Sequence, residues 1–115
     1  MKNFRCYNLA RTQYQEAQKL RLPYYMKDQL NRATLSVCLN LAEGSGKTSV
    51  KDRKRFYEIA LASHRESQAL FELARAKELI GIADKLGGGL WKLISVLKAE
   101  AGGSASSVFR TRKKL

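Results

Sequence analysis

A single proline, Pro23, interrupts the 115 residues of this chain. Proline removes a backbone donor and blocks the helix interior, so its near-absence leaves the chain free to run long helices. The apolar pattern uses that freedom, because hydrophobic residues recur three and four positions apart from one end to the other. No segment alternates with the two-residue period of a strand, and no internal repeat is visible.

Four helices are predicted. The first runs from about Asn3 to Leu20, with Tyr7, Ala10, Tyr14 and Ala17 on one face and Arg11, Gln15 and Gln18 on the other. Pro23 ends this helix or opens the next. The second runs from about Tyr24 to Glu43. Met26, Leu30, Ala33, Val37 and Leu41 form one stripe, and Leu35, Leu39 and Ala42 form a second. Two apolar faces predict a central position or a packed subunit contact. Gly44-Ser45-Gly46 breaks this helix, with glycine available for a left-handed cap. Ser49 then caps the third helix, with Asp52 three residues on. The third helix is expected to reach Leu79, with Phe56, Ile59, Ser63, Glu66, Leu70, Leu73, Lys77 and Ile80 as a heptad seam. Gly81 follows as its C-cap. The fourth helix runs from about Ile82 to Ala101 on a stripe of Leu86, Leu90, Leu93, Ile94 and Leu97. Gly87, Gly88 and Gly89 lie inside it. The stripe stays in phase across them, which favours close approach of a neighbouring helix over a kink.

The expected architecture is therefore all-α, an antiparallel up-down four-helix bundle over residues 1–103. A flexible basic tail over 104–115 follows it. Hydrophobic residues make up 44% and charged residues 28%, a globular composition that buries a core without disulfides or metal. Cys6 and Cys38 are too few for a disulfide framework and read as small core residues. No signal peptide or membrane span is visible, so a cytoplasmic protein with no membrane association is expected.

The charge calls for a partner. Twenty-two Lys and Arg against ten Asp and Glu give +12, and nucleic acid is the usual counterpart of such an excess. The charge concentrates in residues 1–22, in 44–55 and in the tail. Lys47, Lys51, Arg53, Lys54 and Arg55, with Arg110, Arg112, Lys113 and Lys114, are the candidate phosphate contacts. A solvated basic turn is the plainer alternative. Tyr7, Tyr14, Tyr24 and Tyr25 interleave with Arg5, Arg11 and Arg21. Tyr7 and Tyr14 are read as core or interface rather than base-stacking groups, and Trp91 as an interface anchor.

No catalytic set emerges. Gly44-Ser45-Gly46-Lys47-Thr48 resembles the end of a phosphate-binding loop, but Leu41 stands where the first glycine belongs and a helix stands where a strand belongs. His64, the only histidine, has no ligands or nucleophile at workable spacing. No metal, no cofactor and no enzymatic activity are expected. Arg32, Asn40, Glu43, Ser63 and Glu66 sit on or beside apolar stripes. Buried charges require partners, so an Arg32–Glu66 or Arg32–Glu43 pair is expected to fix bundle register or subunit contacts. The alternative is that these side chains reach solvent at the stripe edge.

The run Asn31 to Gly44, and above all Asn40-Leu41-Ala42-Glu43-Gly44, resembles the second helix of the four-helix-bundle proteins encoded in 23S rRNA intervening sequences. Gly46-Lys47-Thr48-Ser49, Arg55-Phe56-Tyr57-Glu58-Ile59-Ala60-Leu61-Ala62-Ser63 and Arg65-Glu66-Ser67 resemble the start of that family's third helix. The likeness covers roughly residues 22–99. It implies a protomer that assembles into a ring, typically a homopentamer, without enzymatic activity. The same superfamily includes the accessory variability determinant of diversity-generating retroelements, which is similar in charge and binds nucleic acid and a reverse transcriptase. The readings carried forward are an RNA-binding oligomeric scaffold or, alternatively, an accessory subunit of a reverse transcriptase.

Overall fold

The computed structural model describes residues 4–102. Among them are four α-helices and no strand: α1 (Phe4–Ala17), α2 (Tyr24–Ser45), α3 (Val50–Leu73) and α4 (Ile80–Gly102), with a 3₁₀ turn at Lys77–Leu79.

The buried residues explain the helices. In α1 the innermost lane is Cys6, Ala10, Gln13 and Ala17, while Tyr7 and Tyr14 pack half-buried beside it. In α3 it is Tyr57, Ala60, His64, Ser67 and Phe71, one position beyond the expected seam. Ile59 and Leu73 of that seam are instead exposed. The stripe Leu30, Ala33, Val37 and Leu41 of α2 is buried as expected, whereas Leu35 and Leu39 face outward, 41% and 58% exposed. Leu86, Leu90, Ile94 and Leu97 of α4 are buried.

Two apolar clusters result. One gathers Cys6, Ala10, Val37, Cys38, Leu41, Tyr57, Ala60, Leu86, Leu90, Ile94 and Leu97 from all four helices. The other gathers Ala17, Leu30, Phe71, Ala76, Leu79 and Ala83. Between them in sequence on three helices lie four fully buried polar side chains: Gln13, Thr34, His64 and Ser67. Thr34 donates to the Leu30 carbonyl at 2.8 Å and Ser67 to the Ser63 carbonyl at 3.0 Å. His64 Nε2 lies 2.8 Å from the Ala83 carbonyl and its Nδ1 lies 3.3 Å from Gln13 Nε2. A carbonyl only accepts, so Nε2 carries the proton and Nδ1 accepts from the Gln13 amide. This layer ties α1, α3 and α4 at one level.

The helix ends depart from expectation in three places. Helix α1 stops at Ala17, where Lys27 donates to the carbonyls of Ala17, Gln18 and Leu20 at 3.5, 2.6 and 2.6 Å. Helix α2 runs through Gly44 and Ser45, and its cap residue Gly46 has φ −88°, so no left-handed glycine is used there. Helix α3 ends at Leu73, not Leu79. The Ala76 amide bonds back to the Phe71 carbonyl and the Arg75 amide to the Glu72 carbonyl, the paired bonds of a Schellman cap. Arg75 holds the left-handed position, φ 57°. Gly81 lies inside the first turn of α4 and caps nothing. Glycine occupies the left-handed region without the steric cost that Cβ imposes. The exposed Arg75→Gly variant is therefore expected to be more stable by about 0.5–1 kcal/mol in urea unfolding.

Of the three consecutive glycines in α4, which is helical through Gly87–Gly89, only Gly89 sets a close approach. A Cβ on Gly89 would stand 2.8 Å from Cys6 Sγ, and one on Gly87 would meet the His64 ring at 3.5 Å. Gly88 has nothing within 4 Å. Gly44 is tighter still, since a Cβ there would lie 2.7 Å from the Tyr57 ring.

Candidate nucleic-acid interface

The basic turn forms because α2 ends at Ser45 and Ser49 caps α3 by accepting from the Asp52 amide at 3.1 Å. The glycine-lysine run in this turn is not a phosphate cradle. Its Gly46 and Lys47 amides bond to the carbonyls of Glu43 and Gly44, so they close the end of α2 and do not point at an anion.

The turn's five cations are divided between two places. Lys51, Lys54 and Arg55 are three and four positions apart at the start of α3, on one side of the helix. The Lys47 ammonium and the Arg55 guanidinium lie 5.2 and 4.5 Å from the centre of the Phe56 ring. Lys47 also pairs with Glu43 at 3.2 Å, and Lys54 with Glu58 at 3.0 Å. Exposed pairs of this kind hold the cations weakly and leave them available. Arg53 departs from the group. Two residues from Lys51 and Arg55, it lies on the other side of α3 and enters a cleft between α1 and α4. Arg110, Arg112, Lys113 and Lys114 lie outside the described residues.

That cleft holds cations that sequence reasoning did not bring together. Arg5 of α1, Arg53 of α3, and Lys85 and Lys92 of α4 line a space of about 1010 Å3 with Leu9, Leu93, Val96 and Leu97. The signal was faint: Lys85 and Lys92 are seven apart, hence on one face of α4. The Arg53 Nε is buried without a hydrogen-bond partner, as is the Asn8 Oδ1.

The five polar residues expected as a network separate as well. Asn40 donates to the Ser36 carbonyl and hydroxyl at 2.9 and 3.1 Å, and the Ser36 and Ser63 hydroxyls are 2.8 Å apart. Ser36 thus joins Asn40 to Ser63 across α2 and α3. Arg32, however, pairs with Asp28 at 3.1 Å on its own helix. Glu43 pairs with Lys47, and Glu66 accepts from Gln29 at 3.4 Å. The pairs expected between Arg32 and either glutamate do not form within the protomer, because all three side chains stand on the outer surface. The fully buried polar set is a different one, Gln13, Thr34, His64 and Ser67. Tyr24, Tyr25 and Trp91 are exposed.

Burial pushes the Cys38 thiol up to about 11 and raises Cys6 as well, so both remain protonated, poor nucleophiles at neutral pH. Burial also lowers the affinity of His64 for a proton, against the opposing pull of the Ala83 carbonyl and Asp84. Among the described residues no three His, Cys, Asp or Glu gather as a metal site, and no helix is long and apolar enough to cross a membrane.

No curated protein and no solved structure matches this chain. A family model does, over residues 3–87, and its description is 23S rRNA-intervening sequence protein. The match takes in α1, the basic turn, α2 and α3 entire, and the glycine-bearing start of α4, so the chain belongs to the family of 23S rRNA-intervening sequence proteins.

Proposed function

We propose that the protein is a non-catalytic RNA-binding scaffold, built as an antiparallel up-down four-helix bundle and assembled into a homopentameric ring in the cytoplasm. The observation that carries the RNA reading is the basic turn, where Lys47 and Arg55 flank Phe56 and Lys51 and Lys54 extend the surface. Such a surface neutralises phosphates without reading sequence.

The contacts of Gly44 with Tyr57, Ser36 with Ser63, and Gln29 with Glu66 support antiparallel α2 and α3. The exposed Leu35, Leu39 and Ile59, with Arg32, Glu43 and Glu66 around them, support a contact between copies. Arg32 would then find its glutamate on a neighbour. The number five comes from the family resemblance.

The test is binding of RNA and of duplex DNA across a salt series, with mass by light scattering on the same sample. Affinity is expected to fall linearly in log–log form. Changing Lys47, Lys51, Lys54 and Arg55 to Glu should flatten the slope by about 0.7 for each single-strand phosphate no longer neutralised, equally for all sequences. Unchanged affinity would place the binding surface elsewhere. An intact oligomer that binds no nucleic acid would mean that the charge serves a protein partner such as a reverse transcriptase.

A further inference from the structure

The cleft between α1 and α4 differs in chemistry from the basic turn. Its floor is aliphatic, made of Leu9, Leu93, Val96 and Leu97, and its rim carries Arg5, Arg53, Lys85 and Lys92 against the single carboxylate of Glu100. Proteins that hold unpaired nucleotides offer open aromatic faces for stacking. The one aromatic ring here belongs to Tyr57, which is 1% exposed and already packed against α2. A floor of branched aliphatic side chains between charged rims suits an amphipathic helix, which anchors through apolar residues at i, i+3, i+4 and i+7.

Two further observations bear on the sign of the partner's charge. Four cations to one carboxylate make the rim electropositive. Arg53 is half-buried at this rim, and a guanidinium donates to carboxylates in charge-assisted bonds. Gly89 deepens the cleft, since a side chain there would collide with Cys6.

We propose that this cleft is a docking site for an acidic amphipathic helix of a partner protein, with apolar anchors on Leu9, Leu93, Val96 and Leu97 and flanking carboxylates on Arg53, Lys85 and Lys92. The site is separate from the RNA surface of the turn, so one protomer joins a protein and a nucleic acid.

The experiment uses the full chain and a fluorescein-labelled synthetic peptide of about five helical turns, leucine on one face and glutamate on both flanks. Three probes are compared with it: the same composition scrambled to remove the apolar face, a lysine-flanked counterpart, and oligouridine. The protein variants are Lys85→Glu with Lys92→Glu, and Val96→Asp, all exposed positions, with urea midpoints checked against the parent. The acidic amphipathic peptide is expected to bind, and both variants to weaken it by at least about tenfold. The turn reversal should leave it unchanged. Equal binding of the scrambled peptide would overturn the proposal, as would the absence of binding by every peptide. It would also be overturned if the Lys85/Lys92 variant no longer bound oligouridine while the turn reversal still did, which would make the cleft the RNA site. Failure of RNA to bind anywhere would sink the scaffold reading and leave this one standing.

Discussion

Gly44→Val is expected to cost about 3 kcal/mol or more, because the added atoms have no room. A Cβ at this position would stand 2.7 and 2.9 Å from two carbons of the Tyr57 ring and 3.1 Å from Phe56 Cβ. The ring does not swing aside easily. It is 1% exposed, lies in the main apolar cluster, and its hydroxyl lies 3.3 Å from Ser45 Oγ. Helices α2 and α3 would have to separate where the basic turn begins. Helix propensity alone predicts the opposite sign, since any residue but proline is a better helix former than glycine. Gly88→Ala supplies the contrast. Nothing lies within 4 Å of that site, so the substitution should stabilise by up to about 1 kcal/mol. Urea unfolding of the two variants decides the matter. A Gly44→Val protein as stable as the parent would mean that the helix spacing is set elsewhere.

His64→Ala is the second large effect, expected at about 3–5 kcal/mol. It removes a fully buried ring and leaves the Ala83 carbonyl and the Gln13 amide without partners. The same residue makes stability depend on pH. Burial holds the folded-state pKa of His64 below its ordinary value near 6.5. The unfolded chain therefore takes up the proton first. The contribution is fully present above about pH 6.5 and is lost as pH falls from there toward the folded value. Thermal midpoints followed downward from neutral pH should show this decline in the parent and less of it in His64→Gln. Equal acid sensitivity in both would assign the effect to other groups.

The helices and the Ser49 cap were legible because each rests on a local signal. Apolar spacing marks a helix, and a serine before a charged first turn marks its start. The end of α3 was not legible. Its left-handed residue is Arg75, where glycine is the usual sign, and the apolar period continues past it into the 3₁₀ turn. The seams of α1 and α3 were displaced for a related reason. Gln13, His64 and Ser67 occupy the most buried lane, so following hydrophobicity alone leads to Tyr14, Ile59 and Leu70 beside it. Polar residues are read as surface until their partners are known, and those partners lie on other helices. The cleft was the least visible feature, since its cations come from three helices distant in sequence. Only the folded chain brings Arg5 and Arg53 to the lysines of α4.

The glycines of α4 also bear on how the protein is made. Three consecutive glycines reduce helix stability by about 3 kcal/mol relative to alanine, so this segment holds its shape through what it lies against. It also leaves the ribosome after the other three helices. Until it arrives, Cys6, Ala10, Leu41 and Tyr57 have no cover from Leu86, Leu90 and Ile94. A chain synthesised only that far leaves those apolar side chains open to contact with other chains. Chains truncated before Gly87 should be found with chaperones or in inclusion bodies, not among soluble assemblies.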